Sequence, residues 1–108
     1  MTNIHTSVGN WNLLLAEKVV FLTGGAGWIA RHIGQTCYAH GARLVLGDLN
    51  IAALNKVKEE IVGEENKDDR VLVVSLDVRD ETSIQQAIKL TLEKWQTIHI
   101  LINTLVKF

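Results

Sequence analysis

The chain alternates between short, uniformly apolar runs and longer segments in which apolar residues recur every three or four positions. The apolar runs predict four buried strands, at Lys18 to Thr23, Ala42 to Asp48, Arg70 to Leu76 and His99 to Asn103. The periodic segments predict three helices, namely Gly27 to about His40, a helix with the stripe Ile51, Leu54, Val57 and Ile61, and a helix with the stripe Ile84, Ala87, Ile88, Leu92 and Trp95.

Strands and helices therefore follow one another in the order βαβαβαβ. Gly41 and Gly63 suit the C-terminal ends of the first two helices, and Asp80 suits the N-cap of the third. Uniformly apolar strands that alternate with helices are typical of a parallel sheet covered on both faces. Right-handed crossovers give such strands the spatial order 3-2-1-4, which is the first half of a doubly wound α/β fold.

Composition and charge narrow the class of protein. The 108 residues are 47% apolar, which fits one globular domain, and the net charge of −1 argues against nucleic acid or an acidic membrane as a partner. We expect residues 1–15 to form a flexible leader and residues 16–108 to form a single domain. Cys37 is the only cysteine, and no apolar run approaches the roughly 20 residues of a membrane span, so we expect a cytoplasmic protein.

A glycine-rich turn joins the first strand to the first helix. Gly24 permits a sharp turn, Gly27 lets backbone amides approach a phosphate without a Cβ in the way, and Ala30 permits close helix–strand packing. The turn directs the N–H groups of the first helical turn at an anion. It therefore predicts a pyrophosphate site, although glycine-rich turns also occur for geometry alone.

Asp48 ends the second predicted strand, where a carboxylate accepts hydrogen bonds from both ribose hydroxyls of an adenosine. Its charge would repel a 2′-phosphate, and no Lys or Arg stands at positions 47, 49 or 50 to neutralise one. The alternative is that Asp48 only begins a turn. Together with the glycine turn, the carboxylate favours NAD over NADP as the cofactor.

Four motifs, in this order, resemble the N-terminal half of the short-chain dehydrogenase/reductase family. They are Thr23 to Ala30, similar to the family's T-G-x-x-x-G-x-G turn; Gly41 to Asn50, similar to its second strand and acidic residue; Leu76-Asp77-Val78, similar to the pair that flanks adenine; and Ile100 to Asn103, similar to the strand that leads into N-N-A-G. The resemblance covers about Leu15 to Asn103 and implies a partial, Rossmann-like, NAD(P)-binding domain. It implies cofactor contacts from Gly24, Gly27, Trp28, Ile29, Asp48, Leu49, Asp77, Val78 and Asn103.

The turn departs from the family's common pattern. Trp28 and Ala30 stand where that pattern has glycines, and the spacing also fits the extended branch of the family, T-G-x-x-G-x-x-G, in which an aromatic residue often takes the position of Trp28. Two interpretations of the indole remain open. It either narrows the pyrophosphate pocket or only packs on its neighbours in the helix.

The family's catalytic groups have no counterpart in this sequence. The family uses a serine and a Tyr-x-x-x-Lys motif, whereas the only tyrosine here is Tyr38, and Ala42 stands where the lysine would follow it. The N-N-A-G motif reads Asn103-Thr104-Leu105-Val106, with bulkier residues. We therefore expect no catalytic residue in the chain, and a truncated product explains the pattern.

Two classes of function remain. The first is an NAD(P)-binding half-domain of an alcohol or carbonyl oxidoreductase, incomplete as a catalyst on its own. The second is a non-catalytic truncated product that acts through, or aggregates by, the exposed edge of its fourth strand, where Ile100, Leu101 and Ile102 would be partly bare. A product without function is a third possibility.

A metal site is not expected, because Cys37 and His40 lack any metal-binding motif, and we expect Cys37 in the core.

Overall fold

The computed structural model describes residues 14–63 and 69–104, so most of the predicted leader and residues 105–108 lie outside the described parts. Seven elements follow one another: β1 (Val19–Thr23), α1 (Trp28–Ala39), β2 (Arg43–Asp48), α2 (Ile51–Val62), β3 (Val71–Ser75), α3 (Glu81–Trp95) and β4 (Ile100–Asn103). The sequence predicted every one of these elements. At each end where a strand or α1 departs from its predicted bound, the observed element is one residue shorter.

The four strands form one parallel sheet in the order β3-β2-β1-β4. The register sets Thr23 of β1 beside Gly47 of β2 and beside Asn103 of β4, and Gly47 beside Val74 of β3. The carboxyl ends of all four strands therefore meet along one edge of the sheet, which we call the carboxyl edge. The predicted α/β class and strand order are confirmed.

The sheet is covered on both faces because its strands are apolar on both sides. Val20, Leu22 and Leu44 pack under α1 and α2, together with the α2 residues Leu54 and Val57. On the other face, Val19, Phe21, Val45 and Val74 pack with Ala87 of α3. Successive residues of each strand face opposite sides of the sheet, and both sides are covered by helices. The strands are therefore apolar throughout, which is the pattern from which the sheet was predicted.

Capping residues mark the ends of the helices, and three of them, Gly41, Gly63 and Asp80, are those that the sequence predicted. The side chain of Asn50 accepts a hydrogen bond from Ala53 N at the start of α2, and Asp80 accepts one from Thr82 N at the start of α3. Gly41, after α1, and Gly63, after α2, both have positive φ angles, of 93° and 84°. These left-handed positions favour glycine, which explains why each helix ends where it does.

Strand β4 forms one of the two outer edges of the described sheet, opposite β3, and pairs with β1. At its start, His99 N donates to Val19 O and Val19 N donates to His99 Nδ1, each at 2.9 Å. The imidazole thus extends the β1–β4 ladder by one bond. The side chain of Leu101 is 67% exposed, and it helps to line an apolar cavity of about 250 Å³ between the sheet and α3.

Among residues 14–63 and 69–104, no helix is long and apolar enough to cross a membrane.

Candidate functional site

The residues that the sequence predicted as a binding site all follow, or end, strands at the carboxyl edge. Gly24, Gly27, Trp28 and Ile29 follow β1, and Asp48 and Leu49 end and follow β2. Asp77 and Val78 lie just beyond β3, and Asn103 ends β4. In doubly wound folds, ligands bind outside the carboxyl ends of the strands. The fold thus brings these positions to one edge of the sheet.

The glycine turn lies directly against β2. Gly24 has a φ of 70°, and Gly25 N donates to Gly47 O at 2.9 Å. A Cβ on Gly25 would lie 2.9 Å from the Cβ of Leu46 and 3.1 Å from Gly47 N, so no other residue fits without movement of the backbone. Sequence reasoning missed both Gly25 and Gly47. The only local signal was the adjacent pair Gly24-Gly25 at the end of a buried strand.

The N-terminus of α1 has no side-chain cap. Gly27 occupies the N-cap position with extended backbone, and the first turn carries no acidic residue. Helix geometry leaves the amides of this turn without intrahelical acceptors. A Cβ on Gly27 would come within 3.1 Å of Gly24 O, so the turn is also tight on its inner side. Free amides at the end of a helix are suited to an anionic ligand such as a diphosphate.

Trp28 begins α1 and is 72% exposed. The ring makes an edge-to-face contact with His32, one turn later, with 4.5 Å between ring centroids. This contact is the packing on a helix neighbour that one of the two interpretations of Trp28 predicts. Ala30 is fully buried, which agrees with the close packing predicted for the third position of the turn.

The carboxylate of Asp48 contacts the glycine turn. Its Oδ2 accepts a hydrogen bond from Ala26 N at 3.2 Å, and its Oδ1 receives a longer one from Asn50 N at 3.4 Å. The residue is half-buried, and Leu49 beside it is 60% exposed. A hydrogen-bond acceptor and an apolar surface therefore lie next to each other at the end of β2.

The loop after β3 presents a second carboxylate. Arg79 holds Asp77 through Nε at 3.1 Å and through its backbone N–H at 3.0 Å. The hydrogen bonds from Arg79 keep the pKa of Asp77 below its ordinary value, so the group stays ionised and remains an acceptor. Val78 is 44% exposed and also lines the apolar cavity on the α3 side.

Asn103 has a structural partner at this edge. The hydroxyl of Thr23 donates to Asn103 Oδ1 at 2.6 Å, and the hydroxyl of Thr104 donates to Thr23 O at 2.7 Å. These bonds tie the end of β4 to the end of β1. Leu105 and Val106, which the sequence placed in the altered N-N-A-G motif, lie outside the described residues.

Tyr38 and Cys37 lie far along α1 from this turn, near the amino ends of the strands. The guanidinium of Arg70 stacks on the ring of Tyr38 at 3.8 Å and donates to Ala42 O at 3.1 Å. Cys37 is half-buried against the core beneath α1, and burial raises the pKa of its thiol. Within the part of the chain that the structure describes, no group of three or more His, Cys, Asp or Glu side chains could hold a metal.

The sheet order, the covered faces and the turn together define a Rossmann-like α/β fold. The short chain dehydrogenase family matches residues 18–105, and the chain belongs to this family. The expected family resemblance is therefore confirmed.

Individual relatives agree with this assignment. An uncharacterised oxidoreductase of Mycobacterium bovis is 32% identical over 90 residues, which cover 83% of this chain and 35% of that protein. A CLA biosynthesis dehydrogenase/reductase of Lactiplantibacillus plantarum is 33% identical over 87 residues, covering 81% of this chain and 29% of that protein. The chain thus spans about a third of the length of the curated relatives it matches.

Solved structures show the same fold. A short chain dehydrogenase from Bacillus anthracis superposes with a TM-score of 0.76 and 34% identity, over 83% of this chain and 35% of that one. A 3-ketoacyl-(acyl-carrier-protein) reductase from Brucella melitensis, solved in complex with NADH, gives a TM-score of 0.71 and 26% identity, over 80% and 33% of the two chains. Binding of NAD(P) fits the family.

Proposed function

We propose that this chain binds the adenosine-diphosphate part of NAD at the carboxyl edge, as the cofactor-binding half of an alcohol or carbonyl oxidoreductase. The observation that carries the proposal is the carboxylate of Asp48, which lies one hydrogen bond from the turn leading into the uncapped end of α1. A diphosphate would accept hydrogen bonds from the first-turn amides of α1. The ribose hydroxyls would donate to Asp48.

In the same proposal, the adenine ring contacts apolar side chains and one hydrogen-bond acceptor. Leu49 and Val78 are both exposed apolar side chains at the ends of neighbouring strands. Asp77, kept ionised by Arg79, supplies an acceptor for the exocyclic amino group of adenine. Gly24, Gly27, Trp28, Ile29 and Asn103 complete the proposed cofactor-binding set.

We further propose that NAD binds more tightly than NADP. A 2′-phosphate would lie against the carboxylate of Asp48, and the following residues, Leu49 and Asn50, carry no positive charge. Two like charges about 4 Å apart repel by roughly 1 kcal/mol in water and by more in a partly buried site. A preference for NAD of about tenfold or more is therefore expected.

The 108-residue polypeptide is proposed to bind cofactor without turning over a substrate. Its only tyrosine, Tyr38, stacks under Arg70 near the amino ends of the strands, away from the carboxyl edge. An acid or base must lie within hydrogen-bond reach of the reacting group. Tyr38 therefore does not replace the family's catalytic tyrosine.

Isothermal titration calorimetry with NAD and NADP tests the proposal without depending on any reporter residue. NAD is expected to give a saturable isotherm and NADP a weaker one. Because Trp28 is exposed beside the turn, its fluorescence should also change with NAD, and the change should be lost in Trp28→Phe. Absence of saturable heat with both cofactors would overturn the site, and tighter binding of NADP would overturn the preference.

A second candidate function is contact with another copy of the chain through the edge of β4. The exposed Leu101 and the absence of Lys and Arg from Ile100–Asn103 favour it, because natural edge strands often carry such gatekeeping charges. Sedimentation velocity over a range of concentrations tests this function. Association should be reduced by Leu101→Lys, and a monomer at all concentrations would reject it.

A further inference from the structure

Asp48 makes a contact that ribose recognition does not require. Its Oδ2 accepts a hydrogen bond from Ala26 N, inside the glycine turn, at 3.2 Å. The backbone of Asp48 is itself held in the sheet, because Leu76 N donates to Asp48 O at 3.0 Å. The carboxylate therefore links a fixed strand end to the middle of the turn.

The other hydrogen bonds of the turn join backbone atoms, apart from a long one of 3.4 Å from the Thr104 hydroxyl to Gly24 O. Gly25 N donates to Gly47 O at 2.9 Å, and Gly27 N donates to Gly24 O at 2.8 Å. Ala26 lies between these two bonds, and a side-chain oxygen is the acceptor for its N–H. The N–H of Ala26 is thus held by a side chain from the end of a different strand.

The position of Ala26 matters for the end of α1. Gly27, the next residue, is the N-cap, and the first-turn amides follow it immediately. Any shift of the Ala26 peptide plane is passed through a single residue to these amides. Their direction decides how well they can bind a phosphate.

We infer that Asp48 is a positioning residue for the phosphate-binding turn as well as the ribose acceptor. The inference rests on the proposed function and extends it: the side chain that selects NAD also sets the affinity for the diphosphate. A replacement at position 48 must supply a hydrogen-bond acceptor to preserve diphosphate binding, whether or not it carries a charge.

Two variants with equal charge isolate this role. Asp48→Asn and Asp48→Ala both remove the negative charge, but only asparagine keeps a side-chain oxygen for Ala26 N. The probe is 2′,3′-dideoxyadenosine diphosphate, which lacks the ribose hydroxyls and so cannot report ribose recognition. Its affinity for the Asn variant should exceed that for the Ala variant by about fivefold, the value of one net hydrogen bond. Equal affinities would overturn the inference.

Hydrogen exchange of the Ala26 amide gives a second readout that needs no ligand. Exchange should be faster in Asp48→Ala than in the unmodified chain, and Asp48→Asn should restore most of the protection. The amide of Val45, buried in β2, serves as the internal control for global stability. If Ala26 exchanges at the same rate in both variants while Val45 is unchanged, the inference is wrong even if cofactor binds.

Asp69→Ala is the matched control for charge. Asp69 is exposed and pairs with Lys94 at 2.8 Å, near the start of β3 and away from the carboxyl edge. Removal of the Asp69 carboxylate should leave both the affinity for the dideoxy probe and the exchange rate of the Ala26 amide unchanged. If the unmodified chain binds neither NAD nor the probe, the proposed function fails, and the exchange experiment still decides whether Asp48 positions the turn.

Discussion

Replacement of Gly25 by alanine tests how the glycine turn is held against the sheet. The added Cβ would lie 2.9 Å from Leu46 Cβ, 3.0 Å from Leu46 Cα and 3.1 Å from Gly47 N. Two of these three atoms belong to the backbone of β2, which is paired on both sides, with β1 and with β3. The strand cannot give way, so the turn must lift from it.

The cost of this movement has two parts. Overpacking of a buried contact typically costs about 1–3 kcal/mol. The lifted turn also loses the bond from Gly25 N to Gly47 O, which is worth about 1 kcal/mol. Gly25→Ala is therefore expected to lower the free energy of unfolding by roughly 2–4 kcal/mol. It should also weaken NAD binding, because the turn carries the first-turn amides of α1 with it.

Urea denaturation followed by circular dichroism measures the stability change, and calorimetry measures the affinity for NAD. Gly34→Ala is the matched control, since the added Cβ would meet only the ends of side chains, Ile61 Cδ1 at 3.3 Å and Leu22 Cδ1 at 3.4 Å. Alanine is also favoured over glycine inside a helix by about 1 kcal/mol, which offsets the crowding. Gly25→Ala with unchanged stability and unchanged NAD affinity would refute the reasoning.

Three further predictions concern single contacts. His99→Ala should lower the free energy of unfolding by about 1–2 kcal/mol in urea titrations, because the fully buried Val19 loses the acceptor for its N–H; an unchanged midpoint would count against this. Gln96→Gly should raise the free energy of unfolding by about 0.5–1 kcal/mol, because Gln96 ends α3 with a left-handed φ of 65°, which glycine adopts without strain. A lower free energy of unfolding in this variant would contradict that explanation. Arg79→Gln should raise the pKa of Asp77, measured by NMR titration of the carboxyl group. The stabilising pair is present at neutral pH and is lost as the pH falls through the lowered pKa of Asp77, so the variant should lose less stability on acidification.

The elements of the fold were predictable because each is specified locally. The strands are apolar on both faces, and that pattern is typical of buried parallel strands whatever surrounds them. Gly41, Gly63 and Asp80 mark helix ends through their own backbone or side-chain preferences. The strand order then followed from the handedness of the crossovers, which leaves few alternatives for a βαβαβαβ chain.

The contacts that hold the site were not predictable in the same way. Gly25 is required because of Leu46 and Gly47, which belong to a different strand, and nothing in the neighbouring sequence reports this approach. His99 looks like an ordinary polar residue before a strand, yet its ring replaces a backbone carbonyl in the ladder. The bond between Thr23 and Asn103, a residue that the family motif predicts as a cofactor contact, was not predicted. Each of these depends on the register between distant segments.

The carboxylate of Asp48 and the uncapped end of α1 have opposite preferences for charge, although they are joined through the same turn. The helix end favours an anion, and a carboxylate beside it would oppose one. The bond from Ala26 N to Oδ2 reduces this conflict, because it satisfies one carboxylate oxygen and keeps the group at the end of β2. The 2′-phosphate that distinguishes NADP from NAD would meet the carboxylate without such compensation. Under the proposed preference for NAD, acceptance of NADP requires loss of the charge but not of the acceptor, so Asp48→Asn should admit NADP with a smaller loss of diphosphate binding than Asp48→Ala.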